Sequence, residues 1–94
     1  MCAFWIREGR ERNFERIFGR DGIWPELLRR SRQFFGSELR FESELERRFT
    51  LLDYWESHVG FEAFRAIHQV DCQRFDRLIA SEGLVAREEL LGAF

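Results

Sequence analysis

The sequence predicts an α+β fold built on a four-stranded antiparallel sheet. Short stretches rich in strand-forming residues lie near both ends and in the middle of the 94-residue chain. Between them lie segments with apolar residues three and four positions apart, the spacing of an amphipathic helix. With 45% hydrophobic and 34% charged residues, the composition is that of a folded chain. Residues 1–94 are predicted to form one domain with a single core.

The first strand and the first helix are predicted close together. Cys2–Glu8 is rich in strand formers and is apolar on both faces. The segment after it has helical spacing at Phe14, Ile17 and Phe18, and Gly19 suits the end of that helix. The N-terminal region therefore predicts a strand followed by a short amphipathic helix.

A second short helix is predicted to follow. Asp21 can cap its N-terminus, and Pro25 is tolerated in its first turn. The apolar face of this helix carries Ile23, Trp24, Leu27 and Leu28. The arginine-rich segment 29–32 is then expected to carry the chain out to solvent.

A hairpin is predicted in the middle of the chain. Its first strand is Gln33–Phe41, its charged link is Glu42–Arg47, and its second strand lies within Arg47–Ser57. Alternation in the second strand puts Phe49, Leu51, Asp53 and Trp55 on one face and Thr50, Leu52, Tyr54 and Glu56 on the other. A register error of one residue would exchange the two sets, so either Asp53 or Tyr54 could face a pocket.

The C-terminal part predicts a long helix and a last strand. Ser57 can cap the helix, Gly83 can end it, and its apolar stripe shifts once near His68–Asp71. Glu88–Phe94 is predicted as the last strand. The resulting order β-α-α-β-β-α-β predicts a ferredoxin-like sheet with all helices on one face.

The predicted strands carry apolar residues on both faces. In an antiparallel sheet with one face exposed to solvent, apolar and polar residues alternate along each strand. No segment remains to form a second layer. A second copy of the chain, packed sheet against sheet in a homodimer, is the predicted cover. The alternative is that the extra aromatic residues lie at strand ends or form one exposed patch.

The sequence resembles the antibiotic biosynthesis monooxygenase family of dimeric α+β barrels. The resemblance runs from Gly9 to the C-terminus. Its most specific pieces are Gly9-Arg10-Glu11 with Phe14-Glu15, then Gly36-Ser37-Glu38-Leu39, and Leu52-Asp53-Tyr54-Trp55-Glu56-Ser57.

The resemblance implies a homodimer with one pocket per subunit between sheet and helices. It also implies oxygenation of phenols or quinols without metal or flavin, with the substrate itself as the reductant, or degradation of haem. The haem-degrading branch uses an Asn on the first strand, a Trp matched by Trp55, and a His in the following helix. In this sequence Cys2–Glu8 contains no Asn, and Phe64 stands where that His is commonly found.

Asp53 and His68 are the candidate catalytic residues. Asp53 shares a strand face with Leu51 and Trp55, and a carboxylate in a covered layer needs a partner or has a raised pKa. Asp53 could form a structural ion pair with an arginine. Alternatively, it could act as a general base that removes a phenolic proton. His68 could be a pocket acid or base, or an exposed or capping residue.

Five residues are candidates for binding a small aromatic substrate. Trp55 could offer a ring on which a planar substrate stacks, or it could be a core residue. Trp24 and Trp5 could stack on a substrate in the same way, or they could be packing or interface residues. The full set is Trp55, Trp24, Trp5, Leu51 and Phe64.

Charge and composition exclude several classes of function. The formal net charge is −2, so no attraction to nucleic acid or to an anionic membrane is expected, and no apolar run reaches the length of a membrane span. All 15 basic residues are Arg, which excludes a lysine Schiff base. Cys2 and Cys72 have neither metal-ligand nor disulfide-framework spacing, so no metal or other cofactor and a cytoplasmic location are expected.

The sequence therefore predicts a cofactor-independent monooxygenase acting on a small phenolic or quinone-like substrate. The alternative is a non-catalytic dimer that binds a small ligand. RNA binding on a sheet of this topology would need an exposed aromatic platform with basic flanks. The corresponding sequence signature is absent.

Overall fold

The computed structural model describes residues 1–91, and it is an α+β fold as predicted. In chain order its elements are β1 (Cys2–Ile6), α1 (Glu11–Phe18), α2 (Ile23–Leu28), β2 (Phe34–Ser43), β3 (Arg48–Trp55), α3 (His58–Ile67), α4 (Gln69–Glu82) and β4 (Val85–Leu90). Among residues 1–91, no helix has both the length and the apolar character needed to cross a membrane.

The four strands form one open antiparallel sheet in the order β2-β3-β1-β4. Cys2 of β1 lies opposite Leu51 of β3, and Ser37 of β2 lies opposite Asp53. Opposite residues point to the same face of a sheet, and so do residues two apart on one strand. Cys2, Leu51, Asp53 and Ser37 therefore share one face.

The helices cover that face, and the core between the two layers is rich in aromatic rings. Phe14 of α1 is fully buried, and its ring lies 4.7 Å from the ring of Phe18 and 5.1 Å from that of Phe49. Phe4 joins this cluster from β1. Aromatic pairs at these separations add stabilisation to that of burial alone, so this cluster fixes α1 on the sheet.

The opposite face of the sheet is mixed in character. Ala3 and Thr50 are buried, Leu52 is half-buried and Tyr54 is 45% exposed. Charged neighbours pair across this face, with Arg40 2.8 Å from Glu38 and Arg87 3.0 Å from Glu89. This face is thus less uniformly apolar than the sequence pattern indicates.

The predicted helix after Ser57 is divided into α3 and α4 at His68. Its φ of −105° and ψ of 32° leave the helical region, but the hydrogen bonds continue through it, from His68 N–H to Phe64 O and from Cys72 N–H to His68 O. The Ser57 cap is confirmed, because its hydroxyl accepts from Gly60 N–H at 3.1 Å. The shift in the apolar stripe is therefore the mark of a bend.

The last strand begins earlier than predicted. Gly83 takes the left-handed conformation at φ 60° and ends α4 as expected, and Leu84 is then fully buried. Its carbonyl accepts from Arg7 N–H at 2.9 Å, which brings the chain back to the sheet directly. The predicted start at Glu88 was wrong because the charged residues of Val85–Leu90 obscured the strand. Residues 92–94 of the predicted strand lie outside the described part.

The predicted cap of α2 was also wrong. Gly22, and not Asp21, is the N-cap residue, and no side chain caps this helix. Gly22 is buried against the end of α1, where an added Cβ would lie 2.3 Å from the Ile17 carbonyl oxygen. A residue without a side chain is needed here because the backbones of two successive helices meet.

Replacement of Gly22 by alanine is expected to destabilise the protein by about 1–3 kcal/mol, because the methyl group has no room beside a backbone carbonyl. Its extended backbone conformation itself suits alanine. Urea denaturation followed by circular dichroism measures the change.

Asp21→Ala is the matched control for Gly22→Ala. An aspartate cap contributes typically about 1 kcal/mol, whereas an exposed residue without that role stays within about 0.5 kcal/mol. We expect the smaller value. A larger loss for Asp21→Ala than for Gly22→Ala would contradict the placement of the helix start.

Candidate functional site

A cavity of about 630 Å³ lies between the sheet and the helices. Its floor comes from β1, β3 and β4, and its walls come mainly from α2, α3 and α4. Its lining is mostly apolar and includes Phe4, Phe18, Leu51, Phe64, Phe75 and Ile79. A volume in the range of about 300–1,000 Å³ with an apolar lining is typical of a small-molecule site.

Asp53 lies half-buried on the floor of this cavity. The Ser37 hydroxyl, directly opposite in the β2–β3 register, donates to Asp53 Oδ1 at 2.7 Å. Trp24 Nε1, from the first turn of α2, donates to Oδ2 at 3.1 Å. Within residues 1–91 no arginine lies at ion-pair distance from it. The predicted arginine partner is replaced by two neutral donors.

The surroundings of Asp53 raise the pKa of its carboxyl group. Burial is the main cause, because it disfavours the charged form. The hydrogen bonds from Ser37 and Trp24 and the positive charge of the N-terminal amine lower the pKa, but by less. When ionised, Asp53 is therefore a stronger base than an ordinary aspartate.

Trp55 lies at the end of β3 and is only 9% exposed. Its ring centre is 5.3 to 5.4 Å from the ring centres of Phe34, Phe61 and Phe64. Its Nε1 is buried and has no hydrogen-bond partner among the residues that the structure describes. Trp55 is thus both an aromatic wall and a donor without a protein acceptor within residues 1–91.

The structure brings together most of the predicted site residues. Asp53, Trp55, Trp24, Leu51 and Phe64 all line the cavity. Of the two strand registers left open by the sequence, the one with Asp53 inward is the one that forms. Tyr54 faces away, and its hydroxyl lies 3.2 Å from Glu38 Oε2.

Two predicted site residues lie elsewhere. Trp5 is on the opposite face of the sheet, where the Arg87 guanidinium lies 4.3 Å from its ring centre. His68 is half-buried at the bend between α3 and α4, with its ring centre 4.8 Å from that of Phe64. It does not line the cavity. In that region the lining is formed by Phe64 and Cys72.

Sequence analysis missed several residues at the cavity. The thiols of Cys2 and Cys72 line it, and so do four residues with ionisable side chains: His58, Arg65, Asp76 and Glu88. His58 is half-exposed, and its Nε2 lies 2.9 Å from Glu62 Oε1. The inward parity of Cys2 was present in the pattern of the first strand, and the hairpin register could have identified Ser37.

Within residues 1–91 no group of three or more His, Cys, Asp or Glu residues is close enough to hold a metal ion. Comparison with models of known families, with curated proteins and with solved structures finds no match to this chain. The chemistry of the cavity is therefore inferred from the residues that line it. Its polar groups are the half-buried carboxylate of Asp53, two thiols and the side chains of His58, Arg65, Asp76 and Glu88.

The ionisation of Asp53 is expected to destabilise the fold. A carboxyl whose pKa is raised in the folded state binds more protons there than in the unfolded chain, so the free energy of unfolding falls as pH rises. The fall begins near the ordinary aspartate pKa of about 4 and ends above the folded pKa of Asp53. Denaturation of the wild type and Asp53→Asn across this range measures it.

Asp53→Asn is expected to gain stability relative to the wild type as pH rises, because its amide does not ionise. Ser37→Ala removes a hydrogen bond that favours the charged form of Asp53. The fall in the free energy of unfolding of this variant should therefore extend to higher pH than that of the wild type. Identical pH dependence in the wild type and Asp53→Asn would contradict the assigned direction of the pKa shift.

Proposed function

We propose that this chain is a cofactor-independent monooxygenase for a small planar substrate with an acidic phenolic or quinol-type proton. One observation carries the proposal: an aspartate with a raised pKa and no cationic side-chain partner within residues 1–91 faces a cavity lined by aromatic rings. Such a carboxylate can act as a general base. It can remove an acidic proton from a ligand that the cavity shields from water.

Asp53 takes the proton, and the substrate anion then passes one electron to O2. The resulting radical pair forms a carbon–oxygen bond. Collapse of the peroxide leaves one oxygen atom on the substrate as a carbonyl and releases the other as water, so the substrate supplies all four electrons. The protein contributes proton removal, exclusion of water and orientation of the ring.

The resemblance to the antibiotic biosynthesis monooxygenase family supports the proposal. We place the chain in a ferredoxin-like topology, which the sheet order β2-β3-β1-β4 and the position of the helices on one face support. Trp55 and Asp53 lie in one of the segments that carry the resemblance. Both residues line the cavity.

A homodimer formed through the uncovered face of the sheet belongs to the same proposal. Trp5 and Leu52 are half-buried there and Tyr54 is exposed. The charged residues of the face pair within the chain, Arg40 with Glu38 and Arg87 with Glu89. Such pairs can enter an interface without leaving an unpaired charge.

A non-catalytic ligand-binding protein is the second candidate. It is favoured by the hydrogen bonds of Asp53, since both carboxylate oxygens already accept protein donors. A carboxylate held in this way can orient a ligand hydroxyl without removing its proton. The cavity alone would then provide affinity through its aromatic walls.

Oxygen uptake with hydroquinones, naphthols and anthrones as substrates tests the proposed reaction. We expect turnover by the wild type and a loss of about 10²-fold or more in Asp53→Asn, the typical contribution of a general base. Asp21→Asn is the matched control because Asp21 is exposed and does not line the cavity. Its rate should equal that of the wild type.

The two candidates separate in the same experiment. Uptake at the buffer rate for every substrate, together with an increase in melting temperature on adding them, would establish ligand binding and refute the oxygenase. Equal turnover by the wild type and Asp53→Asn would show that Asp53 is not the base.

Leu52→Arg is expected to convert the proposed dimer into folded single chains, because it places a charge in the middle of the uncovered sheet face. Sedimentation equilibrium and circular dichroism measure mass and fold. Val59→Arg, at a 75% exposed position of α3, should remain dimeric. Wild-type protein with the mass of one chain at all concentrations would contradict the dimer.

A further inference from the structure

A second cavity, of about 540 Å³, lies between the C-terminal end of α1 and strand β2. Its lining includes Ser37, Leu39 and the exposed residues Glu15 and Arg20, so it opens to solvent. Among residues 1–91 the two cavities have no lining residue in common. The proposed oxygenation makes no use of the second cavity.

One hydrogen bond joins the two cavities. Asp53 lines the first cavity and Ser37 lines the second. The Ser37 hydroxyl donates to Asp53 Oδ1 at 2.7 Å. This contact is fixed by the sheet, because the two residues lie directly opposite each other on β2 and β3. The carboxyl group is therefore connected to solvent by a second route.

The two donors to Asp53 differ in what they can do with a proton. The Trp24 indole only donates, whereas a serine hydroxyl both donates and accepts. When Asp53 is protonated, its carboxyl O–H can donate to Ser37 Oγ, and the serine O–H can then donate into the second cavity. Of these two partners, only Ser37 can pass a proton on.

A ligand in the first cavity gives this second route its importance. A planar ligand over Asp53 excludes water from that side of the carboxyl group. A proton that stays on Asp53 can return to the substrate anion, which reverses its removal. Loss of that proton to solvent leaves the anion in place for reaction with O2. The second cavity has the size and the polar lining to admit water.

We propose that Ser37 and the second cavity form a proton exit for Asp53 while a ligand fills the first cavity. The Asp53 carboxyl gives its proton to Ser37 Oγ as the Ser37 O–H gives its own proton to water. The reverse transfer brings a solvent proton to Asp53, and neither direction moves an electron between groups. The inference rests on the proposed function only for the role of Asp53 as the base, since it requires no reaction with O2.

Anaerobic exchange of deuterium from D2O into the acidic methylene group of anthrone tests the proposal. Asp53 removes a carbon-bound proton, and deuterium enters anthrone only if Asp53 exchanges with solvent before the proton returns. Ser37→Thr and Ser37→Val are matched in shape and differ in the hydroxyl. We expect exchange by the wild type and Ser37→Thr and a loss of about 10²-fold in Ser37→Val, the lower end of what a positioned proton-transfer group contributes.

Circular dichroism checks that both variants fold. Ser37→Ala, which removes the hydroxyl without adding volume, provides the same comparison against the wild type if Ser37→Val does not fold. Its exchange should be slower than that of the wild type.

Trp24→Phe is the control for a change in the pKa of Asp53, because it removes the other donor and keeps Ser37. Exchange out of deuterated anthrone into H2O distinguishes the two effects. A primary isotope effect should remain in Trp24→Phe, because proton removal still limits the rate. It should be lost in Ser37→Val, because proton exit limits the rate there.

Three results would overturn the proposal. They are exchange at the buffer rate in the wild type, equal exchange by Ser37→Thr and Ser37→Val, and a primary isotope effect that is retained in Ser37→Val. Exchange by the wild type without O2 uptake in air would refute the proposed oxygenase and support the proton exit.

Discussion

The hydrogen bonds that Ser37 and Trp24 donate to Asp53 connect three elements that the chain brings together from distant positions. Ser37 donates from β2 and Trp24 donates from α2 across 29 residues of sequence. Burial of a carboxylate is costly unless donors surround it, and these two offset only part of that effect, since the pKa of Asp53 remains raised. The hydrogen bonds to Asp53 thus affect both the position of α2 over the sheet and the reactivity of the carboxylate.

The helical layer packs tightly at one end of the sheet and leaves a cavity at the other. The rings of Phe14, Phe18 and Phe49 fill the space below α1. Beyond them the layer is formed by α3 and α4, which bend at His68 and present different faces to the sheet. Phe64 from α3 and Phe75 from α4 line the space left between them.

Local patterns predicted much of this architecture. Alternation identified the face of β3 that carries Asp53 and Trp55, and the Ser57 cap and the Gly83 end follow from backbone chemistry within a few residues. The partner of Asp53 could not be predicted, because an indole N–H from another element reaches it only through tertiary packing. His68 likewise lies away from the cavity because of a bend that periodicity shows only as a shift.

The cavity has a carboxylate on its floor and mostly apolar walls, and this determines how a ligand can lie in it. Asp53 belongs to the sheet, whereas α2, α3 and α4 contribute mostly rings and aliphatic side chains, with His58, Arg65 and Asp76 among them. A planar ligand that satisfies both would turn its oxygen-bearing edge to the sheet and rest its faces on aromatic rings. In that orientation the oxygen-bearing edge would meet Asp53, whose raised pKa suits it to accept a proton from the ligand.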